Sequence, residues 1–322
     1  MAFKVLLAQN VAQAGITLLK EHGYEVVQAP EENREGMKEW ISDCDAVFSK
    51  TFFLDEEILR AGKKLKVVAK HGVGIDNVVS LDTATKLGLY VVNTPLANME
   101  SVAEHTIAGM LAFSERIIAM DAATRAADFE APERGGLNEI GGKTIGIIGL
   151  GNIGKSVARK ALAFNMHVLG YDPYVKREAL PEQVELVSDV NEIYRRADYI
   201  TLHLGATPET INMVTAAQFA MMKPSAVFIN YARGSLVKEQ DLVEALRSRR
   251  IRGAVLDVYR DEPPAADNPL LHMENVLLSP HSAALTEEAL DRMSYQGAQG
   301  IVEVLSGQRP TWCPNYDRVT KQ

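Results

Sequence analysis

The sequence predicts an α/β protein of two doubly wound parallel-sheet domains, on three observations. Short apolar runs alternate with helical segments along nearly the whole chain. A charged, glycine-rich stretch, residues 128–142, divides those runs into two series. The second series opens on a glycine turn set between a strand and a helix. Such alternation is the mark of parallel strands joined by covering helices. The first series is Phe3–Ala8, Tyr24–Gln28, Ala46–Ser49, Lys66–Ala69 and Tyr90–Asn93. The second begins at Thr144 and continues through His167–Tyr171, Tyr199–Leu204, Ala226–Tyr231, Gly253–Val258 and Val276–Ser279. Between the series, Ser101-x-x-Glu104 reads as a capping box that opens one long apolar-periodic helix, from Val102 to about Ala126. After the second series, Glu287 to Leu305 carries a helical pattern ended by Gly307 and Pro310. Its return to the first series predicts a discontinuous domain, 1–98 completed by 287–322, around a second domain spanning 99–286.

Composition narrows the class. The 322 residues are 47% hydrophobic and 24% charged, ordinary values for a soluble globular protein of two domains. A formal charge of −8 argues against nucleic acid or an anionic membrane surface as partner. Two cysteines, Cys44 and Cys313, are too few for a disulfide framework, and no metal-type spacing occurs. The first ten residues lack the long apolar core of a signal peptide, and no uncharged apolar run approaches 18 residues. The expected setting is the reducing cytoplasm.

The glycine turn is the most informative motif. The strand residues Ile145 to Ile148 feed Gly149-x-Gly151-x-x-Gly154, and the helical segment Lys155 to Phe164 leads to a second strand ending at Asp172. Gly149 permits the tight turn, Gly151 lets a pyrophosphate approach the backbone, and Gly154 lets helix and strand pack closely. The free N–H groups at the helix start favour phosphate charge. Asp172, 18 residues past Gly154, stands where an acid accepts hydrogen bonds from ribose hydroxyls. A 2′-phosphate would be repelled there, and the nearest cations, Lys176 and Arg177, come only after Pro173 and Tyr174. The expected dinucleotide is NAD rather than NADP, the plainer alternative being that Asp172 only caps a turn.

Ligands of open α/β sheets sit beyond the carboxyl ends of strands, and three segments of the second series lie there: Asn230–Gly234, Asp257–Pro263 and Ser279–His281. Hydride transfer to a 2-keto acid needs a cation for the carboxylate, and the planar fork of Arg suits it best. It needs a proton donor for the carbonyl oxygen, a role for His, and a carboxylate to orient and support that His. Arg233, His281 and Glu262 supply one of each. Singly they also read as a helix-terminal salt-bridge partner, a loop histidine and a solvated acid. Their joint position after successive strands carries the case. The other histidines, at 22, 71, 105, 167, 203 and 272, lack this setting and read as structural.

The chain also resembles the D-isomer-specific 2-hydroxyacid dehydrogenase family over nearly its whole length. The residues that carry the resemblance are Gly72–Val78, Asn93–Pro95, Ser101–His105, the Gly149 turn, Thr207–Thr210, Met222–Pro224, Asn230–Gly234, Asp257–Val258, Glu262–Pro263 and Pro280–His281. The resemblance implies a Rossmann NAD domain and a flavodoxin-like substrate domain. It implies that Arg233 binds the substrate carboxylate and carbonyl, that His281 paired with Glu262 is the acid/base, and that the Val73 and Gly74 N–H groups hold the carboxylate. Asp257 would contact the nicotinamide amide, and Asn152, Ile153, Thr207 and Tyr231 would line the cofactor. The helix after Ser101 would form a homodimer contact. Asn77-Val78-Val79 departs from the family's usual Asn-Val-Asp, a change expected to be structural. Residues 96–100 replace a glycine-containing family loop.

Lys50 and Lys70 end the third and fourth runs of the first series. Equivalent positions in phosphoglycerate dehydrogenases resemble cations that hold the substrate phosphate, the plainer alternative being two solvated lysines. The expected substrate is therefore 3-phosphoglycerate or a similar anion-tailed D-2-hydroxy acid. Hydroxypyruvate or glyoxylate reduction is the alternative within the same chemistry, and a dinucleotide-sensing corepressor or scaffold is the alternative outside it. The sequence stops at Gln322, so control by serine through an additional C-terminal module is not expected.

Overall fold

The computed structural model describes residues 2–321, which form two compact units. Within the described residues the first unit is 2–98 with 284–321, and the second is Met99–Ala283. In the first, strands β1 (Lys4–Leu7), β2 (Glu25–Gln28), β3 (Ala46–Ser49), β4 (Val67–Lys70) and β5 (Tyr90–Val92) form a wholly parallel sheet in the order β2-β1-β3-β4-β5. Its helices are α1 (Gln13–Glu21), α2 (Arg34–Ile41), α3 (Glu56–Ala61) and α4 (Leu81–Lys86).

Successive strand residues point to opposite faces, and both faces are apolar, as a parallel sheet covered on both sides requires. Leu6, Val47 and Val68 face the cluster that Met37 and Ile41 of α2 and Ile58 and Leu59 of α3 complete. Val5, Leu7, Ala46, Phe48, Val67 and Ala69 face the other cluster, completed by residues near the C-terminus.

The second unit opens with helices α5 (Met99–Ser114) and α6 (Ile117–Arg125). There follow β6 (Thr144–Ile148), α7 (Asn152–Ala163), β7 (His167–Tyr171), β8 (Val184–Leu186), α8 (Val190–Arg196) and β9 (Tyr199–Leu202). The unit continues with α9 (Ala216–Met221), β10 (Val227–Asn230), α10 (Glu239–Arg247), β11 (Gly253–Leu256) and β12 (Val276–Leu278). Its seven parallel strands run in the order β12-β11-β10-β9-β6-β7-β8. The chain then re-enters the first unit, where α11 (Glu287–Leu305) lays Ala298, Ile301 and Leu305 on the β-sheet, and α12 (Tyr316–Val319) ends the described chain. α11 lies so close to α1 that a Cβ on Gly15 would come within 2.4 Å of the Ser294 carbonyl oxygen.

Two sequence expectations are corrected, and one strand was missed. The helix expected from Val102 to about Ala126 is two helices, broken at Arg116, whose left-handed φ of 51° cannot continue an α-helix. Ser101 is no cap, because α5 begins at Met99 and the buried Ser101 hydroxyl donates to the Ala283 carbonyl instead, at 2.7 Å. The short edge strand β8 escaped notice because three residues carry too little periodicity. No helix among the described residues is long and apolar enough to cross a membrane.

The order of the second sheet positions its functional loops. The chain leaves β6 for β7 on one side and returns to β9 on the other, so the strand order reverses at β6, the switch point where doubly wound sheets bind ligands. All seven strands being parallel, the segments after β6, β7, β9, β10, β11 and β12 emerge along one edge.

Candidate active site

The glycine turn after β6 has the geometry its sequence implies. Gly149 has φ 94°, and a Cβ there would lie 2.4 Å from the His203 carbonyl oxygen. A Cβ on Gly154 would lie 2.0 Å from the Gly149 carbonyl oxygen. Both glycines are thus demanded by the protein's own packing. Gly151 is different: a Cβ there would meet nothing within 4 Å. No packing in this unit calls for that glycine. Gly151 also caps α7 without a side-chain hydrogen bond, so its first-turn N–H groups receive no side-chain cap. Asn152 is exposed and Ile153 half-buried at the start of the same helix.

Asp172 makes the turn contacts of the plainer of its two sequence readings. Its Oδ2 accepts from the Leu150 N–H at 2.8 Å, bracing the glycine turn, and its Oδ1 accepts from the Tyr174 and Val175 N–H groups at 2.9 and 3.2 Å. A carboxylate offers about four lone-pair sites, which leaves acceptor capacity for a ribose hydroxyl. Thr207, in the loop after β9, is exposed, and its N–H donates to the Thr210 hydroxyl at 2.7 Å. Tyr231 turns inward instead. Its side chain is buried, its ring lies 4.9 Å from that of His105 on α5, and a Cβ on Gly109 would come within 2.2 Å of its hydroxyl oxygen.

The three acid/base and carboxylate candidates stand together. His281 Nδ1 lies 2.6 Å from Glu262 Oε2, with both side chains open to solvent. Burial tends to raise the Glu262 carboxyl, but hydrogen bonds from His281 and from the Tyr259 N–H, with the nearby charge of Arg233, outweigh it and hold the group below the usual carboxylate range. Arg233 is brought close by its neighbour: a Cβ on Gly234 would sit 1.8 Å from the Tyr259 carbonyl oxygen, so only glycine lets the β10 loop lie against the β11 loop. Arg233 also donates from a terminal nitrogen to the Ala232 carbonyl at 2.8 Å.

Asp257 is buried, and its carboxylate is engaged within the protein. It accepts from the Ser279 hydroxyl at 2.6 Å, the Ser282 N–H at 2.8 Å and the Ala283 N–H at 2.9 Å. Tyr259, which the sequence reading passed over, and His105, which it read as structural, bear on the pair. Tyr259 donates its N–H to Glu262 Oε1 at 3.0 Å and its hydroxyl to the Ser279 carbonyl at 2.9 Å. His105 Nε2 lies 3.3 Å from the Ser279 hydroxyl.

In the first unit, the loop after β4 is fixed by residues after β5. The Thr94 hydroxyl accepts from the Gly72 N–H at 3.1 Å, and the Asn93 amide donates to the Val73 carbonyl at 2.8 Å. The Val73 and Gly74 N–H groups donate to no partner among the described residues. Lys50 is half-buried, and burial lowers its pKa, partly offset by Glu32. Lys70 is neither solvated nor turned outward: it is buried, and its ammonium donates to the Lys50 carbonyl. Gln9, directly after β1, was also passed over. Its Oε1 accepts from the Lys50, Thr51 and Phe52 N–H groups at 3.0, 2.7 and 3.1 Å. Its place at the carboxyl end of a strand was the signal that could have found it. Val79, where the chain departs from the usual acid, is buried in the apolar core.

A family model described as the D-isomer specific 2-hydroxyacid dehydrogenase, NAD binding domain, matches residues 107–283. The chain is 40% identical over 307 residues to a D-3-phosphoglycerate dehydrogenase of Methanocaldococcus jannaschii, covering 95% of this chain and 58% of that protein. It is 36% identical over 318 residues to a Staphylococcus saprophyticus protein named as a 2-hydroxyacid dehydrogenase, covering 97% of this chain and 99% of that one. The solved glyoxylate reductase of Paecilomyes thermophila superposes with a TM-score of 0.88 at 27% identity, covering 98% of this chain and 99% of the other.

Proposed function

The chain belongs to the D-isomer-specific 2-hydroxyacid dehydrogenase family, and we propose that it interconverts a D-2-hydroxy acid and its 2-keto acid with NAD. The observation that carries the reading is the His281–Glu262 contact at 2.6 Å beside Arg233. Glu262 takes the Nδ1 side of the ring, which leaves Nε2 to give a proton to the substrate carbonyl oxygen in reduction and to remove it in oxidation. The carboxylate beside the ring holds its orientation during that transfer. Arg233 holds the substrate carboxylate with its planar fork and stabilises the oxygen as charge develops. In the first unit, the open N–H groups of Val73 and Gly74 suit a carboxylate.

The residues around the glycine turn fit a dinucleotide: Gly151 leaves room for the pyrophosphate and Asp172 faces the ribose. When bound, the nicotinamide supplies or accepts the hydride. Asn152, Ile153 and Thr207 would line the dinucleotide, while the Tyr231 ring is buried beside His105. The acid at 172 favours NAD over its 2′-phosphorylated form.

For the substrate we favour 3-phosphoglycerate or another anion-tailed acid. Lys50 supplies a half-buried ammonium at the carboxyl end of β3, and Lys70 also holds the Lys50 backbone. The chain spans between 54% and 58% of the length of the phosphoglycerate dehydrogenases it matches. Homodimerisation through the α5–α6 side is supported by exposed Ile118 and Phe129, at 63% and 79%. Two free thiols, Cys44 and Cys313, suit the reducing cytoplasm.

NADH oxidation with a panel of 2-keto acids tests the reading. The expected order is 3-phosphohydroxypyruvate ahead of hydroxypyruvate and glyoxylate. A preference for the two smaller acids would make the protein a hydroxypyruvate or glyoxylate reductase. Tight NADH binding with no turnover on any acid would favour a dinucleotide sensor.

A further inference from the structure

Resting on the acid/base reading of His281, we propose that Asp257 and Tyr259 are positioning residues that act as one clamp on the segment carrying that histidine. Residues 279–283 wrap around the end of β11. The Asp257 carboxylate takes the Ser279 hydroxyl on one side of His281 and the Ser282 and Ala283 N–H groups on the other. Tyr259 takes the Ser279 carbonyl with its hydroxyl and Glu262 with its N–H, so a single residue touches both partners' supports. The Ser279 proton goes to Asp257, so the ring nitrogen of His105 donates to Ser279 Oγ and closes the network on α5.

The clamp explains a backbone that the residue would not choose. His281 has φ 54°, in the left-handed region, which non-glycine residues occupy only when their surroundings over-determine it. Four hydrogen bonds within two residues on either side supply that constraint. Burial pushes the Tyr259 phenol up to about 12, so it remains a neutral donor at working pH. The geometry gives Asp257 a task inside the protein, distinct from the nicotinamide contact that the family resemblance implies.

Asp257→Asn places an amide donor among three donors, and Tyr259→Phe deletes a single hydroxyl from an otherwise unchanged ring. A displacement of about 1 Å at the reacting centre costs about 100-fold in rate. Asp257→Asn is therefore expected to lower kcat about 100-fold. Tyr259→Phe should lower kcat about five- to tenfold, the worth of one hydrogen bond, with KM and NADH Kd unchanged. The imidazole 15N resonances of His281 should move in both variants, and those of His22 and His167 should not. A wild-type kcat and unmoved His281 resonances in Tyr259→Phe would overturn the clamp. So would an Asp257→Asn enzyme that loses NADH affinity while keeping kcat at saturation. An inactive parent enzyme would end the dehydrogenase reading alone, because the resonances report on the clamp without turnover.

Discussion

The two units share a parallel-sheet plan and place their functional loops after strand ends, yet they fasten those loops with opposite chemistry. In the second unit the fasteners are acids. Asp172 braces the glycine turn, Asp257 holds residues 279–283, and Glu262 takes both the Tyr259 N–H and the His281 ring. In the first unit they are neutral or cationic. The Gln9 amide gathers three consecutive N–H groups, Lys70 holds the Lys50 carbonyl, and Thr94 and Asn93 hold the Gly72–Val73 turn. A carboxylate used as a fastener consumes N–H donors and surrounds an imidazole with negative charge, which suits proton transfer. The difference teaches that one sheet plan takes either kind of fastener, carboxylates beside the His281 imidazole in the second unit and an amide, an ammonium and a hydroxyl in the first.

The largest blow to the acid side is His281→Ala. Its kcat should fall by ~10²–10⁴-fold with NADH affinity preserved, as for loss of one general acid/base. Unchanged turnover would remove His281 from the reaction. Next comes Arg233→Lys, which keeps the charge and loses the fork; kcat/KM should drop by roughly 10–100-fold through both parameters, the loss of one charge-assisted hydrogen bond. Steady-state kinetics identical to the parent would place the carboxylate elsewhere.

On the cationic side, Lys50→Ala should erase about tenfold of the preference for phosphorylated over unphosphorylated keto acids, while leaving the unphosphorylated ones alone. Lys70→Ala should act in the same direction by releasing the Lys50 backbone. If both variants rank the acids as the parent does, the anion assignment of the first unit is wrong.

The smallest effect concerns acid stability, where the units behave alike. Burial, aided by the charges of Lys50 and Lys70, lowers His71 to about 4, and burial lowers His203 to about 3. Both are folded as neutral rings. Below the unfolded value near 6.5 the unfolded chain binds protons that the native state refuses, so each ring's contribution is complete above pH 6.5. For His71 it is lost between pH 6.5 and 4. His71→Gln should flatten the decline of Tm over that interval, measured by calorimetry at several pH values. An unaltered slope would show that His71 does not set it.

Much of this molecule was legible in its residues. The alternating apolar runs announced the parallel sheets because strands covered on both faces must be continuously hydrophobic, and the glycine turn announced itself because two of its glycines answer steric contacts set by local geometry. Arg233, Glu262 and His281 were found because strand ends are where ligands meet such sheets. The break at Arg116 was hidden because apolar periodicity continues across it. The inward turn of Lys70 and Tyr231 was hidden too, because a strand-end position says which edge a residue occupies and not where its side chain finds a partner.

Local pattern, then, determined the class, the order of elements and the chemistry on offer. Only the tertiary structure decided how that chemistry is held: that Asp172 braces a turn, that Asp257 grips the segment around His281, that Gln9 stands beneath Lys50. Each of those contacts joins residues tens of positions apart, and its direction depends on sheet order and on which donors remain unsatisfied after the strands pair, neither of which is written in any one stretch of the chain.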